Sequence, residues 1–263
     1  MPKNIPQKKN KKDKKEINKK DRQDINKNKK IKPEDKRGVE KIKLIIFDMD
    51  GVLVDVSQSY LIAIKKTAEF FIGEMIDCDQ IIRLKMMGGY NDDYDCAEAI
   101  LKNHGKHIRK EIIIKKFQEY YMGKKFLGLI QNERWLADNK ILSALSKKYK
   151  LAIFTGRPRY EAMFALKASN AENLFKMIVC MEDTPNKKPA PDGINLITKN
   201  MKTNYAVYVG DSVDDLMSAR AAEIGFVGVV PPEIDKARHK SLLKESGAKM
   251  IIDNVNQLPK VLK

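Results

Sequence analysis

Two carboxylates one residue apart, Asp48 and Asp50, directly follow an apolar run and precede Gly51. In an extended chain, residues i and i+2 point to the same side, so both side chains project together from the end of a strand. Repulsion and desolvation make this pair costly unless a cation or a reaction uses it. One carboxylate could act as a nucleophile and the other as general acid and then general base. An Asp-x-Asp-Gly sequence is also common in turns and calcium loops, so the pair alone leaves both interpretations open.

A hydroxyl group and a glycine, Thr155 and Gly156, come directly after a second apolar run, residues 151–154. A hydroxyl and adjacent backbone N–H groups at a strand end can hold phosphoryl oxygens. The next residue, Arg157, could contact an acidic leaving group such as a carboxylate. Taken alone, the Thr-Gly pair is more typical of a plain strand-to-loop turn.

A lysine beside two prolines is the third motif, in the sequence Lys188-Pro-Ala-Pro191. Proline restricts both its own backbone and that of the residue before it, so the lysine stands in a rigid, extended setting. Its ammonium supplies one point charge for a phosphate group. A solvent-exposed lysine before a helix is the alternative interpretation.

Two acids four residues apart, Asp211 and Asp215, follow the apolar run at residues 205–209. Carboxylate oxygens are the ligands that Mg²⁺ prefers, usually one or two per site, with waters and phosphate oxygens completing an octahedron. Helix N-capping by Asp or Ser explains part of this sequence as well.

The elements that must position these residues are short, almost fully apolar runs separated by helical stretches. Runs of this kind suit strands that are buried on both faces, and they lie at residues 42–47, 151–154, 177–180, 205–209, 226–230 and 250–252. Helical stretches lie between them at residues 159–169, 191–200, 213–223 and 234–246. The alternation predicts an α/β fold, a Rossmann-like parallel sheet with helices on both faces. Ligands in such sheets bind at the carboxyl ends of the strands, where all four motifs lie.

The alternation fails at residues 58–137, where no convincing strand is present and four amphipathic helices are predicted, at 58–72, 77–87, 92–103 and 108–122. An all-helical insert directly after the Asp pair suggests a cap over the site. The predicted organisation is therefore a tail at 1–40, an α/β core at 41–57 and 138–263, and a helical cap at 58–137. Gly89, Tyr90 and Asn91 are the best candidates for a substrate-facing loop of the cap; a helix end followed by a cap residue explains them equally.

The charge of this 263-residue chain is uneven. The formal net charge is +16, and residues 1–40 hold 16 Lys/Arg against seven Asp/Glu without a periodic apolar face. This composition predicts a disordered basic tail, with attraction of nucleic acid or another polyanion as the less favoured function. Three irregularly spaced cysteines, no long apolar run and no secretory signal favour a cytoplasmic protein.

The four motifs, in this order, resemble the signature motifs of the haloacid dehalogenase (HAD) superfamily, specifically its phosphatase-type members. The resemblance spans residues 42 to about 253, and the insert is similar to the helical C1 cap of subfamily IA. An acid at position 50 implies phosphoryl transfer, because the dehalogenase members lack one there. Residues 88–93, 128–135 and 181–185 also look like elements of one HAD subfamily.

The resemblance implies a role for each motif. Asp48 would attack phosphorus, and Asp50 would protonate the leaving oxygen and then activate water. Mg²⁺ would be held by Asp48, the backbone carbonyl of Asp50 and Asp211, with Asp215 orienting a metal-bound water. Phosphoryl oxygens would contact Thr155, Gly156 and Lys188.

The implied function is a Mg²⁺-dependent phosphatase that acts on a small phosphorylated metabolite, with phosphoglycolate as a guess from fold analogy. The alternatives are a phosphomutase of the β-phosphoglucomutase type and a polyanion-binding protein that acts through its tail.

Overall fold

The computed structural model describes residues 42–87, 90, 92–232 and 235–262. The predicted basic tail at residues 1–40 lies outside the described residues, and so do Gly89 and Asn91 of the predicted substrate loop. Among the residues that are described, no helix combines the length and the apolar character needed to cross a bilayer.

The described residues form eight strands. In chain order they are β1 Leu44–Phe47, β2 Val54–Asp55, β3 Arg134–Trp135, β4 Lys150–Phe154, β5 Met177–Val179, β6 Ala206–Gly210, β7 Gly225–Val229 and β8 Ile251–Ile252. Six of them form a parallel sheet in the order β5-β4-β1-β6-β7-β8, and β2 pairs with β3 in a separate antiparallel ribbon. The predicted α/β fold with a parallel sheet is confirmed.

The described residues also form ten α-helices. These are α1 Tyr60–Ile72, α2 Cys78–Met86, α3 Asp93–Asn103, α4 Lys110–Tyr121, α5 Asn139–Ser146, α6 Arg159–Ala168, α7 Asp192–Met201, α8 Val213–Ala221, α9 Lys236–Glu245 and α10 Leu258–Val261. Helices α1 to α4 lie in the chain between β2 and β3, and the other six follow β3.

Alternate residues of the central strands face opposite layers of the core. Ile45 and Phe47 belong to one apolar cluster, and Leu44 and Ile46 belong to another; all four are completely buried. Burial of one such side chain contributes about 1.5–3 kcal/mol relative to its exposure. Because both faces of β1 are covered, no position of this strand suits a polar side chain. This explains the continuous apolar run at β1 in the sequence.

The order of the strands places a crevice beside β1. From β1 the chain reaches β4 and then β5 on one side of the sheet, and it later forms β6 on the other side. The register pairs Phe47, the last residue of β1, with Ile153 of β4 and Val209 of β6. The carboxyl ends of three neighbouring strands therefore meet at the point where strand order reverses, which is where ligands bind in open α/β sheets.

The insert between β2 and β3 is helical and has an apolar cluster of its own. Tyr60, Ile64, Phe117 and Tyr121 belong to this cluster, and the Tyr60 and Tyr121 rings stack with centroids 4.3 Å apart. The expected helical cap is therefore present as four helices packed around these side chains. The boundaries at residues 57/58 and 137/138 stay a prediction.

One expectation for this region was wrong, since residues 58–137 include a strand, β3. Val54 pairs with Trp135 and Asp55 with Arg134, so the two passages of the chain between core and cap run side by side. A strand of two residues is too short for a periodic signal, and its partner lies far away in the sequence.

Candidate active site

The residues of the four sequence motifs surround one cavity of about 390 Å³ at the carboxyl edge of the sheet. Asp48 follows β1, and its N–H donates to the Val209 carbonyl at 2.8 Å. Thr155 follows β4, and its N–H donates to the Val179 carbonyl at 3.0 Å. The predicted site residues that line this cavity are Asp48, Asp50, Thr155, Gly156, Arg157, Lys188 and Asp211.

A tight turn after β1 brings the second carboxylate back over the strand end. The Met49 carbonyl accepts hydrogen bonds from the N–H groups of Val52, Leu53 and Val54, at 3.2, 2.8 and 2.8 Å. Gly51 has a φ of +72°, and a Cβ there would lie 2.3 Å from Oδ2 of Asp211. The turn therefore needs a glycine at position 51 for two reasons: the backbone has a positive φ, and Asp211 lies too close to leave room for a Cβ.

Lys188 bridges two carboxylates at the base of the cavity. Its Nζ donates to Oδ1 of Asp48 at 2.7 Å and to Oδ1 of Asp215 at 2.8 Å, and its side chain is only 4% exposed. The rings of Phe154 and Tyr208 lie 5.3 and 5.5 Å from the ammonium. Burial acts against the charged form, but Asp215 and Asp48 raise the pKa of Lys188, so the ammonium stays charged.

Three acids form a compact carboxylate cluster beside this lysine, with one oxygen each from Asp48, Asp211 and Asp215 lying within 4.8 Å of one another. Burial, together with the charges of Asp215 and Asp50, raises the pKa of Asp48 to about 7 although Lys188 opposes the shift. Burial, together with the charges of Asp215 and Asp48, raises the pKa of Asp211 well above its usual range. Fully ionised, the three acids would carry more negative charge than one lysine balances, and their hard oxygen donors fit a divalent cation such as Mg²⁺.

Asp215 differs from the other two acids because hydrogen bonds engage both of its oxygens. Its Oδ1 accepts from Lys188 and from the Tyr208 hydroxyl at 3.0 Å. Its Oδ2 accepts from the Ser212 hydroxyl at 2.7 Å and from the N–H groups of Ser212 and Asp211 at 3.1 and 3.2 Å. Burial opposes ionisation, yet Lys188 and Ser212 hold the pKa of Asp215 below its usual range. The bond from the Ser212 N–H, together with the Asp215 N–H that donates to the Ser212 hydroxyl at 3.1 Å, forms the capping box of α8.

Asp50 does not join this cluster, because the guanidinium of Arg157 holds it. Nε of Arg157 donates to Oδ1 of Asp50 at 2.7 Å, and Nη2 donates to the same oxygen. Nη1 of Arg157 donates to Oε2 of Glu133 at 2.8 Å. The arginine that we expected to contact a leaving group is 1% exposed and already lies between two carboxylates.

The sequence matches a family model described as haloacid dehalogenase-like hydrolase over residues 45–229, and that span includes every residue of the site described above. The chain belongs to the haloacid dehalogenase-like hydrolase family. This confirms the resemblance that the four motifs indicated.

Relatives of this hydrolase carry several names. Imidazoleglycerol-phosphate dehydratase of Phytophthora nicotianae is 32% identical over 216 residues, covering 79% of the chain but 47% of the relative, so the chain spans about half of that protein. Pyrophosphatase PpaX of Bacillus pumilus is 23% identical and covers 72% of the chain and 83% of the relative. Phosphoglycolate phosphatase of Colwellia psychrerythraea is 24% identical and covers 73% and 85%.

Solved structures of other proteins share the fold. The haloacid dehalogenase-like family protein from Streptococcus pneumoniae superposes with a TM-score of 0.67 at 20% identity, covering 84% of this chain and 99% of that one. A hydrolase from Pseudomonas syringae superposes with a TM-score of 0.66 at 22% identity, and the match covers 83% of this chain and 97% of that one.

Sequence reasoning missed two buried acids of this HAD-like hydrolase. Glu161, on the first turn of α6, accepts hydrogen bonds from the Tyr60 hydroxyl and from Nε2 of Gln118, at 3.0 Å for the latter. Glu133 accepts hydrogen bonds from the Arg157 guanidinium and from the Tyr121 hydroxyl. Both acids meet partners from the cap. A glutamate beside a short strand or in the first turn of a helix has no local signal that separates it from a solvated one.

The described cap residues that line the cavity include residues of α1, α2 and α3, but not Tyr90. Tyr90 is half-buried against the apolar cluster of the cap and is not among the described residues that line the cavity. The cap residues that do line it include Lys85 and Asp93, which form an ion pair. Lys187, at the core edge of the cavity, pairs with Asp92 at the start of α3.

Proposed function

We propose that this hydrolase is a Mg²⁺-dependent phosphatase that cleaves a small phosphomonoester through an aspartyl-phosphate on Asp48. The observation that supports it best is the carboxylate cluster at the end of β1. There Asp48 lies between a buried lysine and two further acids, in the same cavity as Asp50 and Thr155. Phosphoryl transfer needs this kind of site, because most of its catalysis is positioning and electrostatic stabilisation.

Asp48 acts as the nucleophile in this proposal. One of its carboxylate oxygens bonds to phosphorus while the bond from phosphorus to the leaving oxygen breaks. Asp50, two residues further along the turn, gives a proton to that leaving oxygen. In the second half, Asp50 takes a proton from a water molecule that attacks phosphorus. Inorganic phosphate leaves, and the Asp48 carboxylate is restored.

Mg²⁺ would be held by carboxylate oxygens of Asp48 and Asp211 together with the backbone carbonyl of Asp50. When bound, it supplies positive charge that offsets the negative charge of the phosphoryl group. Asp215 has a supporting role, because its two oxygens already hold Lys188 and the start of α8.

The remaining predicted residues orient the phosphoryl group. Lys188 offers a charged donor beside Asp48 and reduces the repulsion between that carboxylate and an incoming phosphate. Thr155 and Gly156 follow β4 at the edge of the same cavity, where a hydroxyl and backbone N–H groups can hold phosphoryl oxygens. The Thr155 hydroxyl now accepts the Arg157 N–H at 3.2 Å and remains able to donate to an oxygen.

The cavity limits the size of the substrate. A volume of about 390 Å³ lies at the small end of the range for ligand pockets and fits a phosphorylated metabolite. The helical segment at residues 58–137 forms the cap domain in this proposal, and residues 41–57 and 138–263 form the core. Phosphoglycolate is the first substrate to test, because one relative is a phosphoglycolate phosphatase.

The test is a screen of phosphorylated metabolites, scored by release of inorganic phosphate with and without Mg²⁺. We expect at least one small phosphomonoester to be hydrolysed only with the metal and Asp48→Asn to abolish turnover. Asp253→Asn, a surface substitution of the same type at a 48% exposed side chain, should keep it. Full activity of Asp48→Asn would contradict the covalent mechanism. Interconversion of sugar phosphates with little release would identify the phosphomutase instead.

A further inference from the structure

A salt bridge centred on the buried Arg157 joins the Asp50 side chain to the place where the chain enters and leaves the cap. We call Asp50, Arg157 and Glu133 the hinge salt bridge. Asp50 lies four residues before β2, on the first passage from core to cap, and Glu133 immediately precedes β3, on the return passage. Arg157 belongs to the core loop after β4 and contacts both acids. One guanidinium therefore connects both passages with the core.

The geometry of the hinge salt bridge is well suited to orient a side chain. Arg157 uses Nε and Nη2 on Asp50, and Nη1 and Nη2 on Glu133, the last at 3.1 Å. Both contacts to Asp50 converge on Oδ1. A planar guanidinium with a fixed fork of donors transmits orientation between its two partners far better than a flexible ammonium does. Arg157 and Glu133 are 1% and 5% exposed, so water has little access to the contact between them, whereas Asp50 is 33% exposed on its cavity side.

The cap holds the far end of the hinge salt bridge. Oε1 of Glu133 accepts the Tyr121 hydroxyl of α4 at 2.9 Å and the Ser59 hydroxyl, just before α1, at 3.1 Å. The Tyr60 ring lies 5.2 Å from the centre of the Arg157 guanidinium. A displacement of α1 or α4 therefore acts first on Glu133, then on Arg157 and finally on the Asp50 carboxylate.

The geometry points to Arg157 and Glu133 as positioning residues that set the orientation of the Asp50 carboxylate according to the position of the cap. This inference rests on the proposed function, in which Asp50 transfers the proton. Neither positioning residue touches the reacting atoms. When the cap holds Glu133 and Arg157 in place, Asp50 is oriented to transfer a proton to the leaving oxygen. An ester whose leaving group needs a proton is then cleaved efficiently only when the cap is in this position.

Two probe substrates separate this role from a purely structural one. p-Nitrophenyl phosphate releases a stable phenolate and needs little help from an acid, whereas β-glycerophosphate releases an alkoxide that needs a proton. General acid catalysis typically contributes a factor of about 10²–10⁴, so a misoriented Asp50 should forfeit part of it. We expect Glu133→Gln to lower kcat for β-glycerophosphate about tenfold more than kcat for p-nitrophenyl phosphate, with Asp50→Asn showing the same preference more strongly.

A matched control is Glu161→Gln, which neutralises another buried acid that binds cap residues but not Asp50. It should change the two rates by the same factor. Arg157→Lys, which keeps the charge and loses the fork, is the second variant and should repeat the Glu133→Gln preference. Melting temperatures of all variants verify that they are folded.

The outcomes distinguish the two proposals. If the wild-type protein releases no phosphate from these two esters or from any ester of the metabolite screen, the proposed function is wrong and this inference falls with it. If the wild type is active and Asp50→Asn shows the preference for p-nitrophenyl phosphate, the proposed function stands. Equal losses on both esters, or no loss, in Glu133→Gln and Arg157→Lys would then overturn the positioning role alone.

Discussion

The ammonium of Lys188 lies 2.7 Å from Oδ1 of Asp48, a residue 140 positions earlier in the chain. Their side chains are 4% and 7% exposed, so water contributes little to the stabilisation of either charge. The same ammonium also holds Asp215. One buried ammonium thus binds two buried carboxylates. The proposed nucleophile, Asp48, depends on this ammonium for the position of its side chain and for the stabilisation of its charge.

Replacement of Lys188 by Met should destabilise the protein, because removal of one partner from a buried ion pair leaves an uncompensated charge. We expect the free energy of unfolding to fall by about 3 kcal/mol at pH 7 in EDTA, measured by urea denaturation. Lys187→Met is the matched control, because Lys187 is 57% exposed and its pair with Asp92 is worth less than about 1 kcal/mol. Similar losses of unfolding free energy in Lys188→Met and Lys187→Met would show that the buried pair stabilises the protein no more than the exposed pair does.

Replacement of Asp211 by Asn should stabilise the metal-free protein and remove its response to Mg²⁺. Burial and three neighbouring acids, Asp215, Asp48 and Asp50, raise the pKa of Asp211, so its ionised form opposes folding at neutral pH. We expect the melting temperature of Asp211→Asn in EDTA to exceed that of the wild type. Mg²⁺ at about 100 times its Kd should stabilise the wild type by about 2.7 kcal/mol and the variant by far less.

The control for this experiment is Asp253→Asn, which removes an acid that pairs with Lys240 on the surface. This variant should keep the full shift of melting temperature with Mg²⁺. An equal shift in Asp211→Asn would show that Asp211 does not hold the metal.

Gly51 and Gly156 should respond differently to alanine. A Cβ at Gly51 would lie 2.3 Å from Oδ2 of Asp211, and the residue has a positive φ. A Cβ at Gly156 would meet nothing within 4 Å. We expect Gly51→Ala to lower the melting temperature and abolish phosphate release, and Gly156→Ala to keep the wild-type melting temperature. Equal melting temperatures would mean that the turn before β2 can move away from Asp211.

Glu161 should make stability depend on pH. Burial raises its pKa above the ordinary value of 4.5, although Tyr60 and Gln118 oppose the shift. Because the folded state favours the protonated acid, its contribution to stability is complete below about pH 4.5 and is lost as the pH rises through the folded-state value. The free energy of unfolding of the wild type, relative to Glu161→Gln, should therefore fall in urea denaturation as the pH is raised above 4.5. Parallel pH profiles would contradict this assignment.

Several features of the fold were predictable from local patterns. A strand buried on both faces needs an unbroken apolar run, so β1, β4 and β6 were visible in the sequence. A parallel sheet aligns the carboxyl ends of its strands, so Asp48, Thr155 and Asp211 could be expected at one edge. The prolines that follow Lys188 in the sequence identified it as a candidate site residue. Its distance from Asp48 could not be predicted from the sequence.

Local patterns could not predict pairings that depend on how distant segments fold together. Strand β3 exists because its two residues meet β2 across the whole cap. The sequence suggests that Arg157 could contact an acidic leaving group, whereas in the structure it binds Asp50 and Glu133, which lie 107 and 24 residues away in the chain.

The sequence by itself determined the six strands of the parallel sheet, the helical insert and the chemical types of side chain at the edge of the sheet, because periodicity and residue type act over a few neighbouring residues. Only the tertiary structure decided which charges meet, since the energy of an ion pair depends on distance and burial. That difference separates Lys188, which pairs with Asp48 and Asp215, from Arg157, which joins Asp50 to Glu133.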